Sequence, residues 1–391
     1  MGDSRVPHVT YMDHAASTPL RPEAREAMLP WLGERFGNPS GSHSIARAAR
    51  RAVDEAREVL ASALGAEPGQ VVFTGGGTES DNLAVAGAVG FARADDAGAT
   101  AACSAVEHEA VLNCVRSLGG AVVPVGPDGR VDLGALEAVL ARSAAAGRPV
   151  AVVSVMLANN EVGVVEPLDS VVDVCRRVAP GALVHTDAVQ AFPWLDVATL
   201  AAGADLVSIS AHKFGGPQGA GALVARDRAR LVPLLHGGGQ ERERRSGTHN
   251  VAGIVGLAAA AAATVRDRAE LVRRAAGWRD RLVDGLIEAV PGTREVARRD
   301  IRVAGNCHVL VPGVESEALL FLLDEAGVCA SAGSACASGA TEPSHVLVAM
   351  GVPPDEARGA LRMSLGWSST ADDVEVALRA VPAAVGRLVP A

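Results

Sequence analysis

The stretch Val71-Val72-Phe73-Thr74-Gly75-Gly76-Gly77-Thr78-Glu79-Ser80-Asp81-Asn82 sets the fold class. A short β-rich run, expected as a strand over 70–74, ends in three consecutive glycines. The polar run Thr78-Glu79-Ser80-Asp81 then opens a helix expected over 78–90. Strand, glycine turn and helix start in that order aim free backbone N–H groups and a helix dipole at one spot, which suits a phosphate. The stretch lacks the Gly-Lys-Ser/Thr of a P-loop, and Ser80 stands where G-x-G-x-x-G would have its last glycine. A glycine turn is also a plain structural device.

Outward from this unit, helical patterns alternate with short β-rich runs between about 45 and 260. Residues 46–64 read as an amphipathic helix. Residues 149–157 form a nearly continuous apolar run, as a strand buried on both faces would. Further strands are expected over 182–186, 206–210 and 221–225. The alternation predicts an α/β domain with a mostly parallel sheet flanked by helices. From 251 to 289 the pattern is helical throughout, with Gly277 and Gly285 as weak points. Short strands are expected at 301–303 and 307–311, a helix at 316–326, and two helical patterns within 354–388. These define a smaller α+β domain. The predicted division is 16–262 for the large domain, with 1–15 and 263–391 in the small one.

The chain has 391 residues, 49% of them apolar, enough for a sizeable core. A formal net charge of −9 argues against direct nucleic-acid binding, which needs a basic surface. No N-terminal signal pattern is seen, and the longest largely apolar run, 254–265, falls short of the ~20 residues that span a bilayer. A soluble cytoplasmic protein is expected. Of 36 basic residues, 35 are Arg and one, Lys213, is Lys. Arg replaces Lys where only charge matters, whereas Lys alone can form a Schiff base. The six cysteines show no zinc-finger spacing and no C-x-x-C pair, and most are expected to be buried.

Two more segments carry chemistry. Leu183-Val184-His185-Thr186-Asp187-Ala188-Val189-Gln190 puts an acid at the C-terminal end of an apolar strand, where α/β ligands bind. A carboxylate there can hold a protonated pyridine nitrogen or can cap the next helix. Ser208-Ile209-Ser210-Ala211-His212-Lys213-Phe214-Gly215-Gly216-Pro217 puts the only lysine just past a strand, beside Ser210 and His212. Phosphate cradle, acid and lysine together are what a pyridoxal-phosphate enzyme needs.

With these segments the chain closely resembles the cysteine desulfurases of the class V aminotransferase family, fold-type I pyridoxal-phosphate enzymes. The resemblance spans almost the whole sequence. It is carried by Tyr11-Met12-Asp13-His14-Ala15-Ala16-Ser17-Thr18-Pro19, Phe36-Gly37-Asn38-Pro39-Ser40, the glycine–threonine turn, and Glu107-His108-Glu109-Ala110-Val111. Asn159-Asn160-Glu161-Val162-Gly163, the Asp187/Gln190 strand and Ser210-Ala211-His212-Lys213 follow. Gly237-Gly238-Gly239-Gln240-Glu241, Arg245-Ser246-Gly247-Thr248, Gly333-Ser334-Ala335-Cys336 and Leu361-Arg362-Met363-Ser364-Leu365-Gly366 complete the series.

The resemblance implies pyridoxal 5′-phosphate as cofactor and L-cysteine as substrate. It implies that Lys213 carries the cofactor and moves the α-proton, that Asp187 pairs with the ring nitrogen, and that Gln190 meets the ring's phenolic oxygen. His108 stacks on the ring and serves in proton transfer. Gly77, Thr78, Ser210 and His212 hold the phosphate. Thr248 reaches the phosphate of the neighbouring subunit in a homodimer. Asn160 and Arg362 bind the substrate carboxylate. Cys336, in an Ala/Ser/Gly-rich loop of about 330–341, takes sulfur as a persulfide and passes it to a protein acceptor in iron–sulfur cluster assembly or in tRNA or DNA thiolation. No metal site is implied beyond contact of Cys336 with an iron–sulfur cluster during transfer. Cys329 is expected to be buried. Asp13-His14-Ala15 and His249-Asn250 depart from the family pattern and are expected to touch no residue assigned to catalysis. Selenocysteine lyase shares fold and cofactor and is not separated by these motifs. A transaminase of the same fold would not need the Cys336 loop, and a non-catalytic platform would not need the full residue set.

Overall fold

The computed structural model describes residues 9–333 and 343–389. Twelve strands occur among them. In chain order they are β1 (Thr10–Tyr11), β2 (Val71–Thr74), β3 (Thr100–Ser104), β4 (Ala121–Val123), β5 (Val150–Ser154), β6 (Leu183–Asp187), β7 (Leu206–Ser210), β8 (Gly221–Ala225), β9 (Arg294–Glu295), β10 (Asn306–Leu310), β11 (Val328–Cys329) and β12 (Ala360–Ser364). Seven form the main sheet in the order β2-β8-β7-β6-β5-β3-β4. The pairs β7-β6, β6-β5, β5-β3 and β3-β4 are parallel, while β8 runs antiparallel to both β2 and β7. The sheet is mostly parallel, as the alternation predicts, with one strand reversed.

β5, β6 and β7 begin apolar because helices cover both faces. Their last residues turn polar: Ser154, Asp187 and Ser210. Parallel strands end at one edge of the sheet, so these residues converge there, where α/β folds bind ligands. The reversed β8 runs close behind that edge. A Cβ on Gly221 would lie 2.7 Å from the backbone of Gly76, so only glycine lets β8 pass under the glycine turn.

The helical pattern over 251–289 folds as one helix, Val251–Ala289, roughly 58 Å long at ~1.5 Å per residue. Its first half packs on helices Pro22–Met28 and Ser44–Ala63, and its second half on helix Ala371–Leu388. Gly285 does not interrupt it. A Cβ there would stand 2.6 Å from Leu378 Cδ2, so this glycine admits the Ala371–Leu388 helix. The second sheet is antiparallel, β12-β10-β9, and β1 pairs parallel with β11.

Two expectations are corrected. Residues 301–303 are not a strand: a 3-10 turn, Arg299–Ile301, occupies the site and Arg302 makes one isolated bridge to Val164. Within 354–388 the first helical pattern is a single turn, Pro354–Ala357, and the chain then enters β12. The run Ala360-Leu361-Arg362-Met363-Ser364 is buried along its whole length, and pairing with β10 outweighs its helical periodicity.

Residues 241–243 all hold positive φ angles, at +50°, +56° and +66°, which is unfavourable for non-glycine residues. A buried ion pair offsets that cost. Arg57 donates from Nη2 to Glu241 Oε1 at 2.6 Å and from Nη1 to Oε2 at 2.8 Å. The Phe73 amide donates to Oε2 at 2.9 Å, and His249 lies 2.7 Å from Oε1. Burial raises the Glu241 pKa, but the Arg57 and His249 hydrogen bonds and the Arg57 charge outweigh it and bring it down to about 2. The folded value lies below the ordinary 4.5, so this stabilisation is complete above pH ~4.5 and is lost as pH falls toward 2. Glu241→Gln is therefore expected to cost about 3–5 kcal/mol at neutral pH, because Arg57 is left buried and unpaired. Urea unfolding at a fixed protein concentration reads this. The gap between parent and variant should narrow below pH ~4.5, and a gap independent of pH would contradict the assignment.

Candidate active site

One cavity of about 300 Å³ lies at the sheet edge. Gly77, Thr78, His108, Asn160, Asp187, Gln190, Ser210, His212 and Lys213 all line it, joined by Asp81. Residues from five segments of the sequence thus meet in one place. A wider cleft of about 770 Å³ opens beside it, lined by the glycine turn, Ser210, His212, Leu234 and Leu235.

The glycine turn is built as an anion site. Helix Gly77–Ala92 begins with Gly76 as N-cap, and no side chain caps it. The first-turn N–H groups at Gly77 and Thr78 have no intrahelical acceptor and are left for a ligand. Glu79 braces the turn by accepting the Gly75 amide at 2.7 Å. Arg245 pairs with the same carboxylate at 2.8 Å, tying the segment that carries Thr248 to the turn. Thr248 itself is exposed and lines neither cavity.

Lys213 closes the opposite wall. Its Nζ donates to Ala15 O at 2.6 Å and to Ala16 O at 2.9 Å, so the opening motif positions the amine. The Thr18 amide donates to His212 O at 2.9 Å, stitching that motif to the lysine turn. Burial, together with the Lys213 and His108 charges, lowers the His212 pKa to about 4, so its ring is neutral at physiological pH. His108 caps helix Glu109–Ser117. Its Nδ1 accepts the Ala110 amide at 3.1 Å, so in the neutral ring the proton sits on Nε2.

Asp187 ends β6, and its Oδ1 accepts the Val189 amide at 2.8 Å. It therefore caps a turn rather than a helix, and it lines the cavity. Burial raises its pKa, while His108, the Val189 amide and Lys213 pull it down. A cation in the cavity would favour the charged form further. Gln190 is buried and its Oε1 has no hydrogen-bond partner among the described atoms. A buried orphan of this kind is costly unless a ligand pairs the amide. An uncapped helix start, a buried acid, an orphan amide and a lysine on one cavity fit a phosphorylated pyridine aldehyde.

Arg362 on β12 is fully buried. It donates from Nη1 to Asn160 O at 3.0 Å and to Gly333 O at 3.2 Å. Its Nη2 donates to Asp13 Oδ1 at 2.7 Å, and its Nε has no partner among the described atoms. The pair expected to bind carboxylate is thus in contact. Two expectations fail here. Asp13 does touch an assigned residue, because it neutralises Arg362. His249 touches none of them but helps hold the Glu241 knot. Cys329 is half-buried, since the two-residue strand β11 covers only one side of it; the other four described cysteines are buried. Cys336 lies outside the described residues.

Asp13, Asp81 and Glu79 are the residues that motif reading passed over as contributors. Glu79 and Asp81 stand in the quoted polar run, but only the register of the helix shows that one braces the turn and the other enters the cavity.

Residues 10–376 match the family described as aminotransferase class-V, and the chain belongs to that family, whose members are pyridoxal-phosphate enzymes. It is 45% identical over 387 residues to an IscS-like cysteine desulfurase of Mycobacterium tuberculosis, with 97% of each chain covered. It is 42% identical over 383 residues to the cysteine desulfurase IscS of Methanosarcina thermophila, covering 97% of this chain and 92% of that one. A solved NifS-like protein superposes with a TM-score of 0.89 at 33% identity, covering 97% of this chain and all of the other. Among the described residues no helix is long and apolar enough to cross a membrane.

Proposed function

We propose that the chain is a pyridoxal-phosphate-dependent cysteine desulfurase that converts L-cysteine to L-alanine and leaves the sulfur as a persulfide on Cys336. The observation that carries this reading is the single cavity in which the only lysine meets Asp187, Gln190, His108 and the uncapped glycine turn. Gly77, Thr78, Ser210 and His212 hold the cofactor's phosphate, Asp187 its ring nitrogen, Gln190 its phenolic oxygen, and Lys213 its aldehyde carbon. When bound, the cofactor supplies an electron sink conjugated to the substrate's α-carbon.

The chain's residues do the rest. Arg362 and Asn160 orient the substrate carboxylate. The Lys213 amine takes the α-proton and delivers it again, with His108 Nε2 as a second proton carrier beside the ring. The Cys336 thiolate attacks the substrate sulfur. An S–S bond forms as the carbon–sulfur bond breaks, and the electron pair left on carbon takes up a proton on the way to alanine. Atoms and electrons balance without an added oxidant. The persulfide then passes to a protein acceptor of the iron–sulfur or nucleic-acid thiolation type.

The working enzyme is a cytoplasmic homodimer in which Thr248 reaches the partner subunit's phosphate site. Each chain divides into a large cofactor domain, 16–262, and a small domain formed by 1–15 and 263–391. The open cleft lined by the glycine turn supports this sharing of sites.

The test is an absorption spectrum of the purified protein before and after L-cysteine, with alanine and sulfide assayed in the same sample. A visible cofactor band and alanine equal to the cysteine consumed are expected. A band without alanine would remove the desulfurase reading. Arg362→Gln should raise KM for L-cysteine by roughly 10–100-fold, the loss of one charged hydrogen-bonding partner. An unchanged KM would remove Arg362 from the carboxylate site.

A further inference from the structure

One turn near the start of the chain joins the two groups that would hold an amino acid from either end. Asp13 makes a parallel bridge to Ser364 on β12, the strand that carries Arg362. Its Oδ1 accepts from Arg362 Nη2 at 2.7 Å. Its carbonyl accepts the Ala16 amide at 3.0 Å, which draws residues 13–16 into a tight turn. The Ala15 amide donates to Ser364 Oγ at 2.8 Å and pins that turn to β12. The same turn supplies the Ala15 and Ala16 carbonyls that receive the Lys213 amine. Arg362 and Lys213 are thus held by one piece of backbone, through the Asp13 carboxylate at one end and two carbonyls at the other.

The donors left on Arg362 match what a carboxylate needs. Nη1 is spent on Asn160 O and Gly333 O, and Nη2 gives one N–H to Asp13. The Nε–H has no acceptor among the described atoms, and Nη2 keeps its second N–H. A carboxylate has an oxygen for each of these two donors. Among the described residues Asp13 is the one acid in ion-pair contact with Arg362. Glu161, whose charge is also felt by Arg362, spends Oε2 on the Ser344 hydroxyl. By charge alone Asp13 should hinder the site, since it sets an anion beside the place where a second one must bind. What it supplies is orientation: an acceptor fixed by the backbone, which keeps the guanidinium from turning its last donors away.

We propose that Asp13 is a positioning residue that fixes the Arg362 guanidinium relative to the Lys213 amine, so that an amino acid held by its carboxylate presents its α-carbon to the lysine. The inference rests on the reading proposed above. To test it, the protein loaded with pyridoxal phosphate is titrated with L-alanine while its visible band is followed. Asp13→Ala should weaken L-alanine binding by about tenfold and raise KM for L-cysteine by a similar factor, with kcat changed by less than about threefold. Charge alone gives the opposite sign, because removing an anion favours a carboxylate, so unchanged or tighter binding overturns the proposal. In an Arg362→Gln background the same Asp13 change should alter binding by less than about twofold, since Asp13 acts through Arg362. A full loss of about tenfold in that background would show a general structural role and overturn the proposal as well. Asp13→Asn covers the case of an Asp13→Ala chain that does not fold. Its amide oxygen can still accept from Nη2, so it should bind L-alanine at least as tightly as the parent, and a loss of about tenfold overturns the proposal. A cofactor band without alanine production from L-cysteine defeats the desulfurase reading alone, and the L-alanine titration still decides the role of Asp13. Absence of any cofactor band defeats the cofactor site and this proposal with it.

Discussion

Lys213→Ala is expected to eliminate the visible cofactor band and to lower desulfuration by at least about 10³-fold, the range seen when a covalently acting side chain is removed. The chain holds no other lysine that could substitute. Arg cannot form the same bond, so Lys213→Arg should be as inactive as the alanine variant even though it keeps the charge. The native amine is held between Ala15 O and Ala16 O, so its removal leaves two backbone carbonyls facing the cavity. Water can reach them there, and the fold should keep its thermal midpoint within a few degrees. Added pyridoxal phosphate should still bind to the Lys213→Ala variant through the glycine turn, but reversibly, and dialysis should remove it. Retention of a stable band after dialysis would show that another amine carries the cofactor.

Cys336→Ala is the second large effect and should divide the reaction in two. Substrate should still bind and perturb the cofactor spectrum, because Lys213, Asp187 and Arg362 are untouched. Alanine production should fall by about 10³-fold or more, since no other described cysteine lines the cavity. Cys329 cannot stand in for it. It is tied into β11, and burial, with Asp324 and Asp13 nearby, raises its thiol pKa, so little thiolate forms. Mass spectrometry of the parent protein after one turnover should place one extra sulfur on the peptide containing Cys336. Full alanine production by Cys336→Ala would turn the assignment toward chemistry that needs no thiol, such as transamination or selenocysteine cleavage.

Most of the fold was legible because parallel strands buried on both faces leave a strong signal. β5, β7 and β8 fall within or upon their expected ranges, and β6 lies one residue beyond its own. The direction of β8 was not legible, since an apolar run carries no sign of which way it pairs. β12 escaped because its sequence, with the preceding single turn, mimics helical spacing, and only its partner β10 makes it a strand. Lys213, Asp187 and the glycine turn could be found by chemistry from single segments. Arg362 needed the family resemblance, being one arginine among 35. Asp13 and Asp81 were not found at all. Asp13 acts through its contact with Arg362, distant in sequence, Asp81 enters the cavity only through the register of its helix, and no local pattern encodes either placement.

The pairing of β1 with β11 has a consequence for biosynthesis. Thr10 meets Val328, and Met12 and Asp13 meet Ser364 and Arg362. At translation rates of about 5–20 residues per second, the amino-terminal segment waits roughly 15–60 s for partners that have yet to be made. Through that interval the main sheet, complete once residue 225 has emerged, can already fold and present the lysine. Closure of the carboxylate site around Arg362 is left as the last event of the nascent chain's life on the ribosome. A polypeptide stalled before β12 would then display a cofactor pocket with no grip on its amino acid.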